Sequence, residues 1–141
     1  MNYEYNDKPF VVTDLYGKYL CNPLSRSAIE CIESMGGTVT SKHSRYDDYE
    51  IFRYRVSFPD NKYSASIIKG YGTYGRSRDQ WEVGIICDGD LTYETDLTAD
   101  SHDVIGYLEE EDVLAIIRLL KRLDENGHIE PLEPSQNEQL A

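Results

Sequence analysis

Cationic side chains are scarce in this sequence. Fourteen lysines and arginines stand against 26 aspartates and glutamates, so the formal net charge of the 141 residues is −12. Such a surplus of anions argues against direct binding to a nucleic-acid backbone or to an anionic membrane. No apolar run approaches the length of a membrane span, and the polar N-terminal segment lacks the features of a signal peptide. We therefore expect a cytoplasmic protein with neither membrane nor direct nucleic-acid partners.

Cysteine is also scarce, with three residues and no CxxC spacing. An odd number without that spacing is typical of free thiols in a reducing cytosol, and Cys31 and Cys87 fall on apolar faces where we expect buried, inert thiols. The three histidines lie far apart and near no cysteine pair, so no metal-ligand spacing exists. We predict no metal, no cofactor and no catalytic residue, and hence no enzyme. A catalytic site without a sequence signature stays open as an alternative.

Phenylalanine and tryptophan are few, whereas tyrosine occurs 12 times. Tyrosine tolerates a half-hydrated position, so this surplus indicates aromatic contacts at the surface. Residues 70–75, GYGTYG, match the glycine pattern of dinucleotide-binding loops, but that mechanism needs a helix directly after the loop. Here the segment WEVGIIC predicts a strand instead, so we expect a hairpin loop. The candidate partner contacts on this loop are Tyr71, Tyr74, Arg76 and Arg78.

Acidic side chains are concentrated in one part of the chain. Residues 42–78 carry eight basic and four acidic side chains, whereas residues 79–112 carry twelve acidic side chains and no lysine or arginine. One interpretation of the acidic segment is a solvated face that keeps the domain soluble. The other is a coarse mimic of nucleic-acid phosphates that occupies a basic groove on a partner protein. The acids assigned to that surface are Asp96, Asp100, Asp103, Glu109, Glu110, Glu111 and Asp112.

Strands are predicted in the middle of the chain. Apolar side chains alternate in residues 51–58, 63–70 and 81–87. Asp88-Gly89 is a hairpin signal, after which residues 91–95 can return as a further strand. Short turns without intervening helices predict an antiparallel meander of four or five strands.

Two amphipathic helices accompany the strands. Ser27 and Glu30 fit a capping box for the first helix, which Gly36-Gly37 should end. The second helix begins with four acids at residues 109–112, ends with basic residues, and should close at Asn126-Gly127. Leu114 and Leu119 widen the apolar stripe of this helix beyond what one layer covers. The helix therefore needs either two covering layers or a homodimer partner.

The sequence as a whole predicts one α+β domain, with the meander packed on the N-terminal and C-terminal helices. We expect a flexible arm over residues 1–8, a folded core over 9–130 and a flexible tail over 131–141.

The order VSFPDNKYSASIIKGYGTYG, WEVGII, LTYET and DVIGYLEEEDV resembles short uncharacterised proteins of bacteriophages and mobile elements. The likeness covers residues 54–123, about half of the chain, and implies no catalytic residue. It implies an accessory protein of phage–host conflict, such as an anti-CRISPR or anti-restriction inhibitor in the host cytoplasm. The alternatives are an oligomeric structural phage protein that uses the final helix, and a nucleic-acid binder that uses the basic 42–78 segment.

Overall fold

The computed structural model describes residues 2–3, 22–45, 50–70, 80–98 and 104–129. These residues form an antiparallel sheet with two helices, so the predicted α+β class is confirmed. In chain order the elements are β1 (Asn2–Tyr3), α1 (Arg26–Ser34), β2 (Thr38–Arg45), β3 (Glu50–Ser57), β4 (Tyr63–Gly70), β5 (Trp81–Cys87), β6 (Asp90–Leu91), β7 (Ile105–Leu108) and α2 (Glu110–Lys121).

The strands pair in chain order from β1 to β6, and β7 also pairs with β5. Over the described residues the sheet has seven strands, where the sequence predicted four or five, although β1 and β6 are only two residues long. The eight residues of β2 were missed because polar residues, among them Ser41 and His43, occupy inward positions beside Val39. A strand with one apolar inward residue has no visible hydrophobic alternation.

The inner face of the sheet is set by alternation along β3, β4 and β5. Rows of paired residues cross the sheet, and one such row runs from Val39 through Val56 and Ala65 to Ile85. Both helices pack on this face, and residues of both helices belong to one buried cluster with it. Trp81, Val83 and Ile85 of β5 are buried in one core with Ile117 and Leu120 of α2.

The first helix starts two residues earlier than the predicted capping box. Ser25 is the N-cap, and its hydroxyl accepts a hydrogen bond from the Ala28 N–H at 3.1 Å, so Ser27 lies inside the first turn. The helix ends as predicted before the glycine pair, because Gly36 takes a φ of +94° that L-residues rarely adopt.

The second helix ends earlier than predicted, at Lys121. Asn126-Gly127 belongs instead to a turn in which Leu123 pairs with Ile129. The Asp124 carboxylate accepts hydrogen bonds from the N–H groups of Asn126 and His128, at 2.8 and 3.1 Å. Such side-chain to backbone bonds compete with helical ones, which explains the early end.

The two predictions about the ends of β5 have different outcomes. Trp81–Cys87 is a strand, as predicted, whereas residues 71–79 of the glycine-rich loop before it lie outside the described residues. After the Asp88-Gly89 turn the return strand covers only Asp90–Leu91, and residues 92–95 leave the sheet. There the hydroxyls of Thr95 and Thr98 bond to each other at 2.9 Å in a buried loop.

Several sequence predictions lie outside the described residues. They are the loop contacts Tyr71, Tyr74, Arg76 and Arg78, the acids Asp100 and Asp103, and the tail 131–141. Within the described ranges, neither helix has the length and apolar character that crossing a bilayer requires.

Candidate interaction surface at the β5 edge

The structure separates the predicted acids into two groups. Glu109, Glu110, Glu111 and Asp112 surround the start of α2, whereas Asp96 contacts the turn that follows the other end of this helix. Twelve helical residues span about 18 Å, so the two groups are about a helix length apart. The acids on the described residues therefore do not gather into one patch.

Asp96 is a structural residue of the loop that follows β6. Its carboxylate accepts a hydrogen bond from the Ile129 N–H at 2.8 Å and lies 3.2 Å from Nδ1 of His128. Its own N–H donates to the Gly127 carbonyl at 2.8 Å. These bonds, the backbone bond to Ile129 first and the His128 side chain second, hold the pKa of Asp96 below its ordinary value of 3.8. The carboxylate thus ties the 92–98 loop to the turn after α2.

The carboxylates at the start of α2 have internal partners too. Glu110 accepts from the Ser25 N–H at 2.6 Å and from the Ser25 hydroxyl at 2.9 Å, which joins the beginnings of the two helices. Asp112 accepts from the Glu109 N–H at 3.0 Å, and the Glu109 carboxylate accepts from Gln80 at 2.8 Å. All of these groups are near the surface, so their negative charge still contributes to the potential outside the protein.

The most exposed large apolar side chains of the described chain lie on or beside the strands at one edge of β5. β4 occupies the other edge along the strand, so β6 and β7 share this one, with Leu91 opposite Ile86 and Ile105 opposite Val83. Leu91 of β6 is 44% exposed, Tyr93 just after it 39%, and Tyr107 of β7 58%. We call these three residues the apolar edge.

Close packing at Gly84 holds Leu91 of the apolar edge against the sheet. A Cβ on this residue would lie 2.5 Å from Cδ2 of Leu91 and 3.3 Å from Val104, so no other residue fits without movement. Leu91 and Val104 therefore lie side by side over the middle of β5. Tyr93 and Tyr107 lie close to the acids in the sequence, whereas no sequence signal pointed to Leu91.

Tyr107 is exposed by a β-bulge. One residue separates Trp81 from Val83 in β5, whereas two residues separate their partners Leu108 and Ile105 in β7. Tyr107 takes a φ of 60° in this bulge. A left-handed conformation costs a bulky L-residue about 1–2 kcal/mol, and such strained residues cluster at functional sites.

Carboxylates stand at both ends of the β5 edge. Asp88 and Asp90 lie in the turn and strand at one end, and Glu109 and Glu111 lie beyond β7 at the other, all of them exposed. A strand of seven residues spans about 20 Å, which is the distance between the two acidic ends. The described residues of this edge carry no lysine or arginine. The edge can therefore attract a basic surface and offer it tyrosine and leucine contacts.

Buried ionisable groups at one end of the inner sheet face were not found from the sequence. His43 stacks on Phe52 with ring centroids 4.4 Å apart, and its Nε2 pairs with the carboxylate of Glu50. Nζ of Lys69 lies 4.3 Å from the centroid of the Trp81 ring. Lys69, which follows the apolar inward residues of β4, was the available sequence signal. Pairing and ring contact reduce the cost of burying these polar groups.

The burial of the two described thiols differs from the prediction. Cys31 and Cys87 are partly buried where full burial was expected, and both are free. Cys31 Sγ lies 3.8 Å from the Arg118 guanidinium at the contact of the two helices. Among the described residues no three histidine, cysteine or acidic side chains are grouped to hold a metal ion.

Fold and surface together define an α+β domain with an acidic, tyrosine-bearing sheet edge. Comparison of the chain with protein-family models, with curated proteins and with solved structures finds no match to any of them.

Proposed function

We propose that this chain is a non-enzymatic protein-binding domain that acts in the cytoplasm of a host bacterium as a phage-type inhibitor. Its target is a nucleic-acid-handling protein with a basic groove, such as a CRISPR or restriction nuclease. The observation that carries the proposal is the β5 edge, where Leu91, Tyr93 and Tyr107 are exposed between two acidic ends.

Charge and apolar contact have different roles in this proposal. The net charge of −12 attracts a basic groove over a Debye length of about 8 Å at physiological salt, which raises the association rate. Tyrosine is enriched among the residues that dominate binding energy, so Tyr93 and Tyr107 anchor the complex. The acids with internal partners steer through their charge, while their hydrogen bonds hold the fold.

The strained Tyr107 allows a sharp test. Tyr107→Gly removes both the ring and the left-handed strain, so we expect the domain to be as stable as the wild type or more stable by about 1 kcal/mol. The same variant should bind its partner at least about tenfold more weakly. Stability is measured by urea melts. Affinity is measured on the protein captured by the wild-type chain from a host lysate.

Asp60→Gly is the control for the relief of strain, because Asp60 takes a φ of 62° in the exposed β3–β4 turn and is not part of the apolar edge. This variant removes one of the 26 acidic side chains, so it should bind the partner only slightly more weakly than the wild type and far more tightly than Tyr107→Gly. The partner should also lose its nucleic acid when the wild-type chain is added. Equal affinity of Tyr107→Gly and the wild type would exclude the β5 edge as the interface, and a complex that keeps its nucleic acid would exclude inhibition by occupation of the groove.

A further inference from the structure

The sheet face opposite the helices carries three exposed cations on two neighbouring strands. They are Lys42 of β2 and Arg53 and Arg55 of β3. The register pairs Lys42 directly with Arg53, and Arg55 with Thr40. Arg53 and Arg55 are two residues apart on one strand, so both point to the same side of the sheet.

By itself, this arrangement of cations lowers the stability of the fold. Side chains directly opposite each other have Cβ atoms about 4.5–5.5 Å apart, and like charges in such pairs destabilise a sheet. The chain has nearly twice as many acidic as basic side chains, yet the described part places no carboxylate in an ion pair with these three. Among the described residues, the Arg53 guanidinium donates to the Ser44 hydroxyl, at 3.3 Å. An anion bound between these cations would offset their mutual repulsion.

The same residues line a shallow concavity of about 430 Å³. Thr40 and Ser66 add hydroxyl donors beside the cations. Arginine forms two parallel hydrogen bonds to phosphate oxygens, lysine adds a point charge, and this combination is the usual one for phosphate recognition.

We propose that this face binds a small ligand that carries a phosphate group. A long polyanion is repelled by the net charge of −12, whereas a compact anion within a Debye length of about 8 Å is attracted by the three cations. The site is separate from the β5 edge, because it lies over β2, β3 and β4. The proposal does not depend on the protein-binding function proposed above.

Calorimetric titration of the full chain with pyrophosphate and with ATP tests the proposal. We expect saturable binding of both to the wild type, and affinity about tenfold lower in Arg55→Gln and in Arg53→Gln. Arg55→Lys keeps the charge but loses the planar donor pair, so it should bind with intermediate affinity. Lys62→Gln is the matched control, because Lys62 is exposed in the turn before β4 and does not line the concavity.

Circular dichroism of each variant shows whether the fold is kept, and these exposed positions should tolerate the changes. Absence of pyrophosphate and ATP binding by the wild type would overturn the proposal. So would an equal loss of affinity in Lys62→Gln. A single-stranded oligonucleotide that binds more tightly than ATP, with affinity that rises with its length, would also overturn it and assign the face to nucleic acid.

Discussion

At the scale of single residues, the acidic side chains of this protein have several different roles. Asp96 and Asp124 bind backbone N–H groups of the turn after α2, Glu110 joins the two helices, and Asp112 caps α2. Asp88 and Glu111 are exposed and contribute charge. The number of acidic residues in the sequence therefore overstates the number of carboxylates that are available to a partner.

Low pH should destabilise the turn after α2, because it protonates the carboxylates of Asp96 and Asp124. Backbone hydrogen bonds lower the pKa of both carboxyls below 3.8, with Ile129 the largest cause for Asp96 and His128 for Asp124. A lowered pKa means that the stabilisation is complete above the ordinary value and is lost as the pH falls through the folded value. We expect Asp96→Asn to be less stable than the wild type at about pH 6, and the difference to shrink toward about pH 2.

Urea melts across this pH range measure that difference, and Asp90→Asn in β6 serves as the control, because Asp90 is exposed. A difference between Asp96→Asn and the wild type that does not change with pH would show that the charge of Asp96 does not stabilise the turn.

At the scale of elements, α2 stabilises the fold from the core side. Val113, Ile117 and Leu120 are completely buried against the inner sheet face. We expect Ile117→Ala to cost about 2–5 kcal/mol of unfolding free energy, because it leaves a cavity between α2 and β5. Ala115→Ser, on the exposed side of the same helix, should change stability by less than about 0.5 kcal/mol. A similarly small loss for Ile117→Ala in denaturant melts would contradict this core.

The junction of the two helices is a second element-scale feature. Ser25 caps α1 and also donates two hydrogen bonds to Glu110 at the start of α2. Ser25→Ala should cost about 1 kcal/mol as a lost N-cap. The double variant with Ser25→Ala and Glu110→Gln should lose less unfolding free energy than the two single variants together, by about 0.5 kcal/mol or more.

Glu111→Gln is the matched control for this cycle, since Glu111 is exposed beside Glu110 and should show no coupling to Ser25. Additive losses for Ser25→Ala and Glu110→Gln would mean that the hydrogen bond between the Ser25 hydroxyl and Glu110 adds nothing to stability.

At the scale of the whole molecule, the homodimer through α2 stays a prediction. Leu114 and Ile116 pack against the core from within the chain, and Leu119 is partly buried. The apolar area that remains for a second copy is small, so we expect association to be weak and to depend on concentration. Light scattering should show a mass that rises only at high concentration, and Leu119→Lys should remove the rise.

Thr38→Lys adds the same charge on the opposite sheet face and should leave the association unchanged. A monomer mass at every concentration would contradict the dimer and leave α2 as a purely intramolecular element.

The sequence alone determined the helices and strands whose signals come from residues close together in the chain. Alternation of apolar residues defined β3, β4 and β5, the Asp88-Gly89 turn ended β5, and the acid-to-base order along with the apolar stripe defined α2. These features arise from periodicity and turn chemistry over a few residues, so they can be read without the fold. The missed strand β2 shows the limit, because its inward residues are mostly polar.

The tertiary structure decided which acids bind inside the chain and which side chains form the candidate surfaces. Asp96 meets Ile129 across 33 residues, and Ser25 meets Glu110 across 85. Every carboxylate can accept a hydrogen bond, so the sequence does not distinguish the one that has a donor within reach. The exposure of Tyr107 depends on a bulge between β5 and β7, and the alignment of Lys42 with Arg53 depends on strand register. Both are properties of paired strands, which separate stretches of sequence do not contain.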